Sequence, residues 1–215
     1  MQKKRCALIG ALLICTAELF CLAGCGEEEA DGQVTSLQIG KNGIITSNIV
    51  EDFGKDFYTI DTLKDMLQEE IDSYNVSHPG AVSLQAVELS EEETGSVLVT
   101  LQYASCEDYA EFNEVELFYG TPTEAQAAGY SLNADFLNTD GNAVDISAEE
   151  ILAIKGARIL IIRQSAQVSR ISLPGKVLYV SGGTVPDGSK IVELPGPEEE
   201  GNIYWQGELT YVITK

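Results

Sequence analysis

The sequence predicts an α+β fold: antiparallel sheet, one main amphipathic helix, two or three short helices, and a β-rich C-terminal half. Three observations carry that expectation. Apolar and polar residues alternate with period two in short runs separated by turn residues, the pattern of half-buried strands. One stretch, 62–75, repeats apolar residues at helical spacing along its whole length. A serine or threonine with a glutamate three residues on occurs before two further short stretches, which marks helix starts.

In chain order, Val34 to Lys41 alternates as a strand, with Val34, Leu37 and Ile39 apolar. Asn42-Gly43 predicts a hairpin through a type I′ turn, which needs positive φ at both central residues. Ile44 to Phe53 is the returning strand. Asp61 or Thr62 caps a helix over 62–75, whose apolar stripe is Leu63, Met66, Leu67, Ile71 and Tyr74 and whose outer face is Lys64, Asp65, Gln68, Glu69 and Asp72. His78-Pro79-Gly80 ends it. Ala81 to Leu89 and Ser96 to Tyr103 form a second hairpin around 91–95. Ser105, with Asp108 three residues on, caps a short helix over 106–113, and Val115 to Tyr119 reads as a strand.

Thr121-Pro122-Thr123-Glu124 is a capping box with proline at the first helical position, and Gly129 fits the left-handed stop. Asp140-Gly141 turns a hairpin, Ser147 and Glu150 form a second capping box, and that helix stops near Gly156. Ala157 to Arg163 is apolar on both faces and reads as a central strand. Val168 to Leu173 and Lys176 to Ser181 flank Pro174-Gly175, which suits a type II turn. Ile203 to Thr214 is the last strand region. Composition changes near residue 156, and either a boundary there or one domain with a β-rich second half fits.

The N-terminus carries a different kind of signal. Lys3, Lys4 and Arg5 precede an uncharged run from Ala7 to Ala17, and small residues lead to Cys25. The string Leu22-Ala23-Gly24-Cys25 resembles the lipobox of bacterial lipoproteins. The resemblance implies cleavage before Cys25 and a diacylglyceryl group with palmitate-type chains on its sulfur. The chain then divides into a signal peptide at 1–24, a polar tether at 25–33 and an extracytoplasmic domain at 34–215. Two acyl chains hold a protein firmly to a bilayer, at ~0.8 kcal/mol per buried CH₂, whereas one is marginal. The competing reading is an uncleaved membrane helix over 6–26. Glu18 opposes it, since a mid-membrane carboxylate costs roughly 2.5–3.5 kcal/mol on insertion scales. The expected location is the cell membrane, lipid-anchored on the extracytoplasmic face, with the bilayer as partner through acylated Cys25.

Further stretches bear on kinship. Tyr103-Ala-Ser-Cys-Glu-Asp-Tyr109-Ala-Glu-Phe112-Asn113, then Leu117-Phe-Tyr-Gly120-Thr121 and Glu124-Ala-Gln-Ala-Ala-Gly129-Tyr130, resemble a group of small uncharacterised lipoproteins of clostridia-type Gram-positive bacteria. The segment from Val50 to Phe53 and the strand from Gly175 to Ser181 are similar to the same group. The resemblance implies a place on the outer face of a single-membrane cell. It implies no activity and no catalytic residues.

Charge narrows the partners. The formal net charge is −21, and removal of the signal leaves 10 basic against 33 acidic residues. No Lys or Arg lies between Asp65 and Ile154, a stretch with 19 Asp and Glu. Such a field repels nucleic acid and anionic lipid and permits cationic or basic partners. Of five cysteines, three leave with the signal, Cys25 is acylated, and Cys106 is left alone, so no internal disulfide is expected. Cys106 itself reads as a small buried residue.

Catalytic and metal signatures are sparse. His78 is the single histidine, and beside a Pro-Gly turn it reads as an exposed turn residue. There is no G-x-S-x-G elbow, no phosphate-binding loop and no G-x-G-x-x-G. Zinc lacks its usual ligands. In Asn138 to Asp145, an EF-hand register puts Phe136 and Ser147 where carboxylates are required, so only a calcium site of another type stays open. No catalytic, cofactor-binding or metal-ligating residue is assigned, and no cofactor is expected. The aromatic set Tyr109, Phe112, Phe118, Tyr119, Tyr130 and Phe136 reads as core, with Tyr204-Trp205 the candidate exposed contact. The expected function is a non-enzymatic binding or interaction module at the cell envelope. The alternatives are a surface hydrolase using paired carboxylates and a calcium-dependent surface adhesion protein.

Overall fold

The computed structural model describes residues 34–53, 59–89, 95–165, 167–186, 190–196 and 206–215. Among them the chain is α+β, with twelve strands in two six-stranded sheets and four helices. The strands are β1 (Ser36–Ile39), β2 (Ile45–Asp52), β3 (Val82–Leu89), β4 (Ser96–Tyr103), β5 (Leu117–Gly120), β6 (Phe136–Asn138), β7 (Ala143–Val144), β8 (Arg158–Ser165), β9 (Arg170–Ser172), β10 (Val177–Val180), β11 (Ile191–Glu193) and β12 (Gln206–Thr214). The helices are α1 (Ile60–Asn75), α2 (Cys106–Phe112), α3 (Pro122–Ala127) and α4 (Ala148–Ala153).

The first sheet runs β11-β9-β1-β2-β4-β3 and the second β5-β8-β12-β10-β6-β7. Pairing is antiparallel except between β1 and β9, which run parallel. Strands from before and after residue 156 occur in both sheets, since β9 and β11 return to pair beside β1.

The inner face of the first sheet follows from register. Val192, Ile171, Leu37, Ser47, Leu101 and Leu84 form one cross-strand row, and four of the five apolar members are 0–2% exposed. These residues share a core with Leu160, Ile162, Val177, Val180 and Val212 of the second sheet and with Ile71 of α1. The outer face is polar: Gln38, Thr46 and Gln102 share one row, and in the next Thr100 Oγ1 donates to Asn48 Oδ1 at 3.0 Å.

The second sheet is buried on both faces, and β8 shows why its sequence lacks alternation. Leu160 and Ile162 face the first sheet, whereas Ile159 and Ile161 join a second core with Ala125, Leu132, Phe136, Ile151 and Ile213, under α3 and α4. β8 lies between β5 and β12, the central position its double-sided apolar pattern requires.

Several local expectations change. The 40–44 hairpin forms, but among non-glycine described residues only Glu114 has positive φ, so Asn42 does not adopt the type I′ conformation. Instead the Gly43 N–H donates to the Gly40 carbonyl (3.0 Å), the Gly40 N–H donates to the Ile44 carbonyl (2.8 Å), and Gly43 sits at φ 84°. That is a three-residue loop ending in a left-handed bulge residue. The Asp140-Gly141 hairpin repeats it: the Gly141 N–H donates to the Asn138 carbonyl, the Asn138 N–H to the Asn142 carbonyl, and Gly141 has φ 78°. Helix α1 starts earlier than expected. Thr59 is its cap, accepting from the Thr62 N–H at 3.2 Å, and Asp61 lies in the first turn, where its charge suits the helix dipole.

Pro174-Gly175 does not close a hairpin, because β9 belongs to the first sheet and β10 to the second. The segment is a corner between sheets. Gly175 lacks the positive φ of a type II turn, and a Cβ there would press on Thr214 and the Lys215 carbonyl at 3.2 Å. The connection at 91–95 falls mostly outside the described residues, although β3 and β4 pair antiparallel as expected. No described helix is long and apolar enough to cross a membrane.

Candidate functional site: an acidic cleft between α1 and α2

Helix α1 packs on β3, and α2 packs on β5 and the end of β4. Ile71 of α1 is buried, and Ile60, Leu63, Leu67 and Tyr74 pack on the same core. Burial of one such aliphatic side chain stabilises by about 1.5–3 kcal/mol, which holds the helix on the sheet despite its acidic outer face. Met66 departs from the expected stripe. It is 64% exposed and turns away from the core, onto the wall of a cleft between the two helices.

The cleft is open, encloses about 590 Å³, and is lined by Met66, Glu69, Glu70, Ser73, Tyr74, Glu111, Phe112 and Glu114. That volume falls within the usual range for small-ligand sites, roughly 300–1,000 Å³. Four carboxylates therefore surround a thioether and two aromatic rings, and no Lys or Arg lines the wall. Tyr74 and Phe112 meet edge to face, with ring centroids 5.4 Å apart. The Tyr74 hydroxyl donates to Glu111 Oε2 at 3.4 Å. Its pKa is pushed up to about 12, first by removal of water from the hydroxyl and then by the negative charge of Glu111 and Asp108. It is accordingly a neutral donor at physiological pH.

His78 stacks on the other side of Tyr74 (centroids 4.3 Å, planes 17° apart), and its Nε2 lies 3.6 Å from Glu111 Oε2. Ser77 Oγ is 3.1 Å from its Nδ1. This serine, histidine and glutamate adjoin, and the Tyr74 carbonyl, 3.3 Å from the Ser77 hydroxyl, competes with the imidazole for its proton. The histidine buttresses the cleft wall.

The α2 stop is the sharpest local feature. The Val115 N–H donates to the Ala110 carbonyl (2.9 Å) and the Glu114 N–H to the Glu111 carbonyl (3.3 Å). This double bond pattern closes many helices, and its left-handed position is normally glycine. Here that position is Glu114, at φ 54°. A side chain in that conformation costs about 1 kcal/mol or more. The strained residue is also one of the four cleft carboxylates.

Beneath the cleft, Tyr103 at the end of β4 is fully buried, and its ring lies edge-on to Tyr109 (5.0 Å) and Phe112 (5.7 Å). Burial pushes its hydroxyl up to about 12, and a hydrogen bond from the Asn113 side chain opposes that shift. The same Asn113 amide also donates to the Tyr109 carbonyl at 2.8 Å.

The remaining expected residues fall as follows. Cys25, the tether, and Tyr204-Trp205 lie outside the described residues. Cys106 is free and partly buried against the core, and burial pushes its thiol up to about 11. Tyr109 and Phe136 are buried; Phe112 packs on the core and also lines the cleft. In Asn138 to Asp145, Asn138 Oδ1 accepts from the Asp140 and Asn142 N–H groups, so its side chain fastens the turn. Among the described residues no three His, Cys, Asp or Glu side chains converge as a metal site would require. The cleft could be found in sequence only through Glu69, Glu70, Glu111 and Glu114. Those four are indistinguishable there from any other acidic residues, and α1 and α2 meet only because a hairpin folds between them.

No family model, no curated protein and no solved structure matches this chain.

Proposed function

We propose that the chain is a lipid-anchored, extracytoplasmic binding module that takes a cationic group of its partner into the cleft between α1 and α2. One observation carries the reading: Glu69, Glu70, Glu111 and Glu114 ring an open cleft whose other walls are Met66, Tyr74 and Phe112. Carboxylates attract a positive charge, and aromatic faces attract a cation by a further 0.5–1 kcal/mol or so at exposed sites. Apolar walls beside the charges favour an organic cation over a small hydrated ion, whose water shell they cannot replace. The anchor part of the reading rests on the Leu22-Ala-Gly-Cys25 string and its preceding charged and apolar runs. Placed outside the cell on a short polar tether, such a cleft meets free amines and basic peptides directly.

Calorimetric titration of the full chain in detergent with n-pentylammonium tests the cleft. Binding should weaken with added salt, because exposed charges are screened. Glu111→Gln should weaken it about fivefold, the equivalent of the ~1 kcal/mol that an exposed ion pair contributes at best. Salt-independent binding, or no effect of Glu111→Gln, would remove the cleft from the reading. Reproducible turnover of glycans or peptides, abolished by Glu111→Gln, would replace it with the carboxylate hydrolase. The anchor is tested by Cys25→Ala, which should move the protein from the membrane to the soluble fraction. Retention of that variant in the membrane would favour an uncleaved helix.

A further inference from the structure

We propose that Ser77, His78 and Glu111 form a hydrolytic centre at the rim of the cleft: a nucleophile, a base and an orienting carboxylate that act on activated carboxylic esters, meaning aryl esters and thioesters. The inference goes beyond the reading of the cleft as a cation site and does not require it.

The three side chains come from separate parts of the chain. Ser77 and His78 lie in the turn after α1, and Glu111 lies in α2. Ser77 Oγ is 3.1 Å from His78 Nδ1, nearer than it is to the Tyr74 carbonyl oxygen at 3.3 Å. Across the ring, His78 Nε2 lies 3.6 Å from Glu111 Oε2. One imidazole therefore spans a hydroxyl and a carboxylate, the roles of a Ser-His-acid triad with the two ring nitrogens exchanged. The ring is held in place. Tyr74 stacks on it with centroids 4.3 Å and planes 17° apart, and the Tyr74 hydroxyl donates to the same Glu111 oxygen at 3.4 Å. Ser77 is exposed, so an ester reaches it from solvent, and Tyr74 and Glu111 also line the cleft, which gives the rest of the substrate a wall to lie against.

The geometry assigns each group its step. The Glu111 carboxylate favours the ring proton on Nε2, which leaves the Nδ1 lone pair facing the Ser77 hydroxyl. Ser77 Oγ attacks the ester carbonyl carbon and forms an O–C bond while its proton passes to Nδ1. The bond from that carbon to the leaving oxygen or sulfur then breaks, and the alcohol or thiol departs with the proton from Nδ1. Water attacks the acyl carbon next, gives a proton to Nδ1, and releases the carboxylic acid as Ser77 Oγ takes that proton back. Glu111 touches no reacting atom. It is a positioning residue that also stabilises the imidazolium formed in each half of the cycle. The exposure of Ser77 sets the substrate class. Water rather than a dry pocket of fixed donors solvates the oxyanion there, so the centre suits esters with a good leaving group and not amides.

The test uses the full chain in detergent with p-nitrophenyl acetate as substrate and diisopropyl fluorophosphate as a label for the nucleophile. The wild-type protein should turn over the ester, and peptide mass spectrometry should find the phosphoryl adduct on Ser77. Ser77→Ala should lose both turnover and adduct. His78→Ala should lower kcat by about a hundredfold or more, the usual share of a positioned base, and added imidazole should restore part of it, which a merely structural histidine would not allow. Glu111→Gln should lower kcat about fivefold with KM unchanged, the scale of one exposed charge pair. Turnover that survives Ser77→Ala, or a wild-type protein that gains no adduct on Ser77, overturns the inference; so does failure of imidazole to restore any rate to His78→Ala. Turnover that survives Ser77→Ala and disappears in Glu111→Gln assigns the reaction to paired carboxylates instead. None of these outcomes bears on n-pentylammonium binding, so the inference and the cleft reading fail separately.

Discussion

Two pairs of helices cover this molecule, and they are built to different standards. Helices α3 and α4 close one face of the second sheet. Each begins with a complete capping box: Thr121 and Ser147 accept from the N–H of Glu124 and Glu150, and each glutamate accepts in return from its cap's N–H. Those bonds hold both carboxyl groups below their usual pKa. Beneath them Ala125, Ile151, Ile159, Ile161 and Ile213 are all 0% exposed. Helices α1 and α2 lie elsewhere on the same architecture. Between them are an open acidic cleft, an exposed methionine and, at the end of α2, a glutamate in a left-handed turn. A sequence that starts both helices of one pair with complete capping boxes had no structural need to end a helix of the other pair on a strained glutamate. Local conflict with the folding rules, concentrated in one place, is the mark of a site shaped by something besides stability.

The largest expected effect separates the two pairs by stability. Ile151→Ala removes a fully buried side chain from the α3–α4 layer and should destabilise by about 2–5 kcal/mol. Met66→Ala, on the cleft wall, should change stability by no more than about 0.5 kcal/mol. Chemical denaturation of both variants checks the contrast. A large loss at Met66 would mean that the cleft is packed against something in solution and that the comparison is wrong.

Local features were legible in both halves. Both capping boxes, the left-handed stop at Gly129 and the central position of β8 follow from residues within a few positions of one another, so a single sequence carries them. So do the two sheet-forming hairpins that Asn42-Gly43 and Asp140-Gly141 turn, although the turn type depends on whether φ is positive at one central residue or at both, which the dipeptide leaves open. What the sequence hides is long-range. The parallel pairing of β1 with β9 joins segments more than 130 residues apart, and nothing in either short strand names the other. The exposure of Met66 depends on the crossing of α1 over β3, not on its place in the helical period. The cleft is assembled entirely from relations of this second kind.

The smallest expected effect goes to the cause of the contrast. Helices α2 and α3 end in the same motif: Val115 bonds back to Ala110 and Glu114 to Glu111 in one, and Tyr130 to Ala125 and Gly129 to Gln126 in the other. The left-handed residue is Glu114 (φ 54°) in the first and Gly129 (φ 94°) in the second. Around Gly129 a Cβ would meet no atom within 4 Å, so only backbone strain opposes a side chain there. Gly129→Ala should therefore cost about 1 kcal/mol, and Glu114→Gly should gain about the same, because both act on one conformational term in opposite directions. Thermal denaturation measures the pair. If the strain at Glu114 is retained for its carboxylate, the same Glu114→Gly protein, though more stable, should bind n-pentylammonium more weakly than wild type. A variant that is both more stable and undiminished in binding would show that the left-handed glutamate is not kept for its carboxylate, and the difference between the two helix pairs would then rest on the remaining three carboxylates alone.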